Sequence, residues 1–460
     1  MLKKFMTLGL VTVLLAVTAG CGTLKEKVDE GITISVGSWP YHNESLKSET
    51  YQNYAKIMKE KYNINIVPDD YHYSVQDYIG KAEIGQIPTV YVTWFTEIEK
   101  IVDLGYGADI SNQIEENGFG FALNPIFNNI LQVEGKYYAV PINAYAMGLE
   151  VNKNLLNQAG YVNADGTIKA PDTYEDFAKM GAEIKRITGK PGFALGTTGN
   201  IGGWNFMNIA WSYGVDFMEQ NDEGRWEAVF NTPECVEAMQ YVHDLKWKYD
   251  VLPEEDSLDN HDLKRMFQNG EVAMIFNEPS TQDQYVSTAE LENEDLAFIS
   301  VPRGPKGRYS LMGGNVYMVS NTATEEEKDA VFKWLDLIGI SPRAGEEQIA
   351  GWEEEAGRLS ENNGIVLGEE TLKIWVDPMR QEKIMAIQKP YINVERKNFE
   401  DYLSFDGVII QPEEPVECQN LYTVLDGVIR EVLADKNADI PKLIAEAEKK
   451  FQENYLDKVQ

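Results

Sequence analysis

The stretch from Gly135 to Met147, GKYYAVPINAYAM, constrains this chain more than any other. Tyr137, Tyr138, Ala139 and Val140 read as the start of a short strand. Pro141 lacks the N–H that a sheet ladder needs, so the strand is expected to end or step out of its sheet there. A second extended run follows from Tyr145 to Val151. NKNLLNQAGY then reads as a short helix with Gly160 just past its end. A strand that stops at a proline and restarts after a polar break is how a chain leaves one lobe for another. Pro141 to Ala144 is therefore expected to be a hinge; the competing reading is an ordinary strand–turn–strand within one domain.

A hinge needs two bodies to join. At 460 residues the chain is too long for one small core, and its length favours two or three domains. Hydrophobic residues at 43% and charged residues at 25% are globular values. The formal net charge of −33 argues against binding nucleic acid or an anionic membrane through charge. It also disfavours polyanionic substrates unless a local basic pocket exists.

Residues 1–20 have the layout of a signal peptide: Lys3 and Lys4, an apolar run from Phe5 to Val17, then small residues before Cys21. Thr18-Ala19-Gly20-Cys21 resembles the lipobox of bacterial lipoproteins, which implies a lipid on Cys21. A diacylglycerol thioether plus an N-acyl chain would give the multiple tails that stable anchoring requires. A plain secretory signal with a chance cysteine is the alternative. Cys235 and Cys418 remain, and sequence does not show whether they pair. The four histidines are scattered and no Cys/His cluster has zinc spacing, so no metal and no cofactor are expected.

Residues 21–30 read as a tether. ITISV (Ile32 to Val36), Ile64 to Val67 and Val90 to Thr93 read as strands, with a helix from Leu46 to Tyr62 between the first two. That alternation implies a parallel α/β sheet, whose ligand crevice lies outside the carboxyl ends of its strands. Trp39 and Trp94 sit just past two such ends. Thr173 with Asp176, Thr232 with Pro233, and Thr324 with Glu327 each open a helix. The glycine-rich run Gly189 to Gly203 lacks the order of a phosphate loop and leads to Trp204. NGEVAMIF (Asn269 to Phe276) is a strand stopped by Asn277, Glu278 and Pro279, where a second crossing is expected. GGNVYMVS (Gly313 to Ser320) reads as a third. Residues 340–420 are irregular, and Leu421 to Tyr455 is helical with a break near Asn437 to Pro441. Trp211, Trp247 and Trp334 fall within helical periods and read as core or helix surface.

GKYYAVP, VNKNLLNQAG, PDTYEDFAKMGAEI, NGEVAMIF, PRGPKGRYSLMGGNVYMVS and AVFKWLDLIG, in that order, resemble the family 1 extracellular solute-binding proteins. These are carbohydrate-binding subunits of ABC importers, similar in architecture to maltodextrin-binding proteins. The resemblance implies an α/β, two-lobe periplasmic-binding-protein-like fold, each lobe a mostly parallel sheet flanked by helices. It places lobe one at 31–142 plus 277–314 and lobe two at 143–276 plus 315–460. It further implies a monomer, lipid-anchored on the extracytoplasmic face of a bacterial membrane. That monomer would deliver a carbohydrate to ABC permease subunits with a cytoplasmic ATPase.

A sugar presents hydroxyls, which need directed hydrogen bonds, and apolar C–H faces, which pack on aromatic rings. Trp39, Trp94, Trp204 and Trp375 are the candidate platforms, each with core packing as the competing reading. The resemblance puts Trp204 where such proteins place a second-lobe stacking aromatic. Asn43, Glu44, Asn143, Glu278 and Asn315 are the candidate hydrogen-bonding residues, with solvated loop positions as the alternative. An exported glycoside hydrolase, a peptide-type binding protein and an adhesive lipoprotein are the competing functions. No nucleophile elbow or HExxH motif favours catalysis.

Overall fold

The computed structural model describes residues 31–40, 45–75, 77–279, 291–361, 365–368 and 371–459. Cys21, the tether, Asn43 and Glu44 lie outside them. The first strands form as expected. β1 (Ile32–Val36) and β2 (Ile64–Pro68) pair in parallel across α1 (Ser45–Tyr62), and β3 (Val90–Trp94) joins β1 in parallel through Val36 and Val90. Ile34, Val36, Met58, Ile64 and Val90 are fully buried or nearly so, which fixes which faces turn inward.

The hinge stretch forms one continuous strand, β4 (Ala139–Ala146), followed by β5 (Gly148–Asn152). The expected stop at Pro141 does not occur. β4 pairs only with the long strand that follows Lys306, and its register slips by one residue at Ile142, between Asn143↔Asn315 and Pro141↔Val316. A bulge on an edge strand accommodates a residue without an N–H, so the proline bends the strand instead of ending it.

Three long helices come next: α2 (Tyr174–Thr188), α3 (Ile201–Tyr213) and α4 (Pro233–Trp247). Thr173 and Thr232 cap α2 and α4 through their hydroxyls, as their sequence signatures predict. Then β6 (Met274–Asn277) and β7 (Leu296–Ser300) flank β5 in an antiparallel three-stranded sheet, with one parallel bridge from Ala194 to Ile275. β8 (Arg308–Val319) leads to α5 (Glu325–Leu337), whose capping box of Thr324 and Glu327 is present. Helices α6 (Glu346–Glu361) and α7 (Pro378–Gln388), strand β9 (Val408–Pro412), and helices α8 (Cys418–Ala434) and α9 (Ile440–Asn454) complete the chain. The larger sheet has the order β9-β8-β3-β1-β2, with β4 beside β8.

Two main cores result. One gathers β1 to β3, Val316 to Val319, α5 and Trp375. The other gathers β5, α2 to α4, β7, α8 and α9. Val140 and Val316 belong to the first, and Met147 and Leu311 to the second. β4 and β8 therefore pass between the cores together, side by side at Met312↔Ala146 and Gly313↔Tyr145. β9 is a third crossing. It pairs in parallel with Arg308 to Met312, Ile410 packs on the first core, and Val416 lies in the second.

Two expectations are corrected here. β6 ends at Asn277, but Leu296 to Val301 pack with β5 and its neighbours, so the described chain around 277–279 does not change lobes. Residues 316–337 pack with lobe one and not lobe two, because β8 pairs with β3 from Asn315↔Trp94 to Val319↔Val90 and α5 seals that sheet. Trp334 and Trp211 are core residues, as their helical spacing predicts.

At the crossing the backbones come very close. A Cβ on Gly314 would stand 2.3 Å from the Asn143 carbonyl oxygen and 2.6 Å from the Phe95 ring. Gly314→Ala is expected to lower the unfolding free energy by about 1–3 kcal/mol, the usual cost of overpacking. Urea denaturation checks it; a midpoint equal to that of the parent protein would refute so tight a crossing.

Candidate functional site

Two adjoining cavities, of about 300 and 550 Å³, open where the strands cross. They share Ile142, Asn143, Asn315, Trp352, Glu355 and Arg380. β4 and β8 supply the middle of the site. Ser38, Tyr51, Tyr54, His72 and Tyr317 extend it along lobe one, and Glu278 and Pro279 follow β6 from lobe two. Helices α6 and α7 bring Trp352, Glu355, Arg358, Arg380 and Gln388.

Asn143 and Asn315 face each other across the bulge. Asn143 Oδ1 accepts from both the backbone N and the Nδ2 of Asn315, each at 3.0 Å. The amide nitrogen of Asn143 and the amide oxygen of Asn315 are not used in this pair. The site thus holds two planar polar groups fixed in orientation by the strand ladder.

The charges are arranged in pairs. Arg358 grips Glu355 with Nε at 2.9 Å and Nη2 at 2.7 Å, a bidentate ion pair. Arg380 is 4% exposed; its Nε donates to Ser341 O at 3.2 Å and its guanidinium lies 5.0 Å over the Trp352 ring. Behind Glu278, burial pushes the Lys264 ammonium down from its ordinary pKa, while Glu278 and Glu150 pull it back up. Burial likewise raises the Tyr51 and Tyr145 phenols, Tyr51 further through Tyr317 and Tyr145 through Glu413 and Glu278. Both stay neutral hydroxyls at ordinary pH.

Of the residues proposed from sequence, Asn143, Glu278 and Asn315 line the cavities. The tryptophans do not. Trp39 stacks on Trp334 at 5.8 Å and meets Tyr51 edge-on, so it backs the cavity wall. Trp94 is 38% exposed, with its edge toward Tyr73. Trp204 stands one ring away, perpendicular to the cavity-lining Tyr145 at 6.2 Å. Trp375 is no platform: it is 3% exposed and packs against Phe119, drawn inward by its backbone bridge to Leu123.

The cavity aromatics that sequence reasoning missed are Tyr51, Tyr54, Tyr145, Tyr317 and Trp352. Tyr51 and Tyr54 have helical spacing, which reads as a core face. Trp352, Glu355, Ala356 and Leu359 also share one helical face, but nothing local says that this face lines a cleft.

The pattern that defines the bacterial extracellular solute-binding proteins matches residues 51–352. The chain belongs to that family. Among curated relatives, this solute-binding protein is 22% identical over 223 residues to the arabinooligosaccharide-binding protein of Halalkalibacterium halodurans, covering 48% of this chain and 47% of the relative. It is 26% identical over 209 residues to a Brucella abortus binding protein, covering 45% of this chain and 47% of that one. The chain thus spans about half the length of the curated relatives it matches.

Solved structures share the two-lobe fold over nearly the whole length. The GacH receptor of Streptomyces glaucescens, solved unliganded and with acarbose, matches at TM-score 0.66 and 18% identity over 94% of this chain and 100% of that one. The cyclic alpha-maltosyl-1,6-maltose binding protein of Arthrobacter globiformis matches at 0.64 and 19% over 91% and 97%. UgpB of Mycobacterium tuberculosis, bound to glycerophosphocholine, matches at 0.67 and 14% over 91% and 97%. Among the described residues no helix is long and apolar enough to cross a membrane.

Asn143→Ala removes the acceptor shared by two donors of Asn315. It is expected to lower the unfolding free energy by about 1–2 kcal/mol, and Asn143→Asp, which keeps that oxygen, by less. Equal losses in the two variants, measured in urea, would show that the pair does not hold the crossing.

Proposed function

We propose that this solute-binding protein captures a neutral oligosaccharide in the cavities at the strand crossing and delivers it to the permease of an ABC importer. A cytoplasmic ATPase would supply the energy. The observation that carries this reading is the lining itself: the Asn143–Asn315 pair beside Tyr51, Tyr54, Tyr145 and Trp352. Fixed amides and hydroxyls match sugar hydroxyls, and the rings match C–H faces. A neutral ligand is favoured over a uronate because the lining cations are engaged, Arg358 by Glu355 and Arg380 by Ser341 and Trp352. Ligand that touches both lobes stabilises the arrangement in which both contribute, since only that arrangement makes both sets of contacts. In this reading Trp204 and Trp94 report on the site more than they build it. Cys21 carries the lipid that keeps the monomer at the membrane.

The test is a titration of residues 22–460 with neutral oligosaccharides, acidic oligosaccharides and peptides, followed by tryptophan fluorescence. A saturable change with a neutral sugar is expected, weakened roughly tenfold in Asn315→Ala, the worth of one hydrogen bond. Sugars must leave the incubation at their original length. Shortened products would replace this reading with a hydrolase, and a response to peptides alone would replace it with peptide capture. Separately, Cys21→Ser in the producing cell is expected to move the protein out of the membrane fraction; retention there would refute lipid anchoring at Cys21.

A further inference from the structure

The sheet of lobe two carries charge on a face that is otherwise apolar. Side chains alternate along its strands. Leu149 and Val151 of β5, and Met274 and Phe276 of β6, turn to the second core. Ile275 turns to the opposite face, where it clusters with Leu263, Met266 and Phe267 of the short helix Asn260–Gln268. Glu150 is the cross-strand partner of Ile275 and so shares that face, as does Asn277 two residues further along β6. Glu150 is fully buried there, and its Oε2 accepts from Asn277 Nδ2 at 2.8 Å.

A carboxylate buried among apolar side chains needs a partner of opposite charge. Lys264 of the same short helix supplies it, and its ammonium is drawn by Glu150 and by Glu278 alike. Glu278 follows the last residue of β6 and lines the cavity of about 300 Å³. It acts on the phenol of Tyr145, which lines the same cavity, and on that of Tyr402, whose Oη donates to Ala146 O at 2.6 Å. Its carboxylate therefore stands at the lobe-two end of the crossing ladder, with the cavity before it and Lys264 behind. Among the described lining residues of the two larger cavities, Glu278 is the charged side chain that lobe two supplies.

We propose that Lys264 is a positioning residue for ligand capture: anchored from behind by Glu150, it holds the Glu278 carboxylate at the cavity, where Glu278 accepts from two adjacent hydroxyls of the sugar. The role rests on sugar capture as the function of the cavity.

A glutamate side chain is long and flexible, and fixing it only when ligand arrives costs affinity. An ammonium at its back fixes it beforehand. Without that ammonium, Glu278 and Glu150 would meet as like charges away from bulk water, and Glu278 would turn aside or take up a proton. An ionised carboxylate accepts and does not donate, through two oxygens side by side. It therefore suits adjacent hydroxyl donors and repels the carboxylate of an acidic sugar.

A mutant cycle tests this. Lys264→Met alone would strand Glu150 in the core, so every step is made on top of Glu150→Gln, which keeps an oxygen for Asn277. Adding Lys264→Met is expected to weaken binding of a neutral oligosaccharide roughly tenfold, the worth of a hydrogen bond to a charged group. With Glu278→Gln also present, the same step should change affinity by less than about twofold, because the group it acts through is gone. Lys264→Arg keeps the positive charge and should bind more tightly than Lys264→Met. Lys264→Gln serves if Lys264→Met does not fold. Equal losses with and without Glu278→Gln, or Lys264→Arg as weak as Lys264→Met, would overturn the proposal. Urea denaturation without ligand gives a second reading. The Lys264→Met step should lower the midpoint more with Glu278 in place than in Glu278→Gln, and equal shifts would also overturn the proposal. A parent protein silent to every sugar refutes sugar capture instead, and the urea cycle still decides whether Lys264 holds Glu278.

Discussion

The ladder between Ala139–Ala146 and Arg308–Val319 is the contact on which the rest depends. Each strand alone would be a loose tether between two cores. Paired and antiparallel, they allow bending across the ladder but resist sliding along it. The pairing needs Gly313 and Gly314, since a side chain on Gly314 would meet the Asn143 backbone. It also needs the bulge at Ile142, which absorbs Pro141 and turns Asn143 toward Asn315. The same ladder divides the surroundings into two faces. Tyr145 approaches Gly313 from one side and Phe95 approaches Gly314 from the other. What happens at either face is thus coupled through a single element, without any longer chain of contacts.

Local signals in the sequence were enough for most elements. β1 to β3 and the capped helices announce themselves by short-range periodicity and by Thr173, Thr232 and Thr324. Trp334 and Trp211 were legible as core for the same reason. The lobe boundaries were not. A chain end at Asn277–Pro279 looks the same whether the next strand pairs in the same sheet or in another, because strand pairing is set by distant partners. β9 was missed since Val408–Pro412 is short and only half-buried, and its partner is a hundred residues earlier. Among site residues, Asn143 and Asn315 were legible because they fall at the expected hinge crossings. The tryptophans misled: a large ring just past a strand end is also well placed to seal a core, and Trp39 and Trp375 do so.

Charges at the crossing are arranged differently from those on the open surface. The chain as a whole carries −33, spread over a surface where screening makes most pairs worth little. In the larger cavities, Arg358 is paired with Glu355, and Arg380 is held by Ser341 and the Trp352 ring. Beside the crossing strands, Lys100 pairs with Glu417 and pulls on Glu97.

Helices α6 and α7 stand apart from the frame that joins the lobes. The family pattern ends at residue 352, so it includes the crossing strands and the lobe-one wall but stops at Trp352. Glu355, Arg358, Leu359, Arg380, Ile384 and Gln388 all lie beyond it and all line the cavities. They come from the two helices that precede β9, neither of which contributes a strand to the larger sheet. Such a segment can change length and composition at little cost to either sheet, because the strand ladder does not run through it. The frame that brings the lobes together is thus held by β4 and β8, while α6 and α7 cover the cavities from a segment that lies almost wholly beyond the matched pattern.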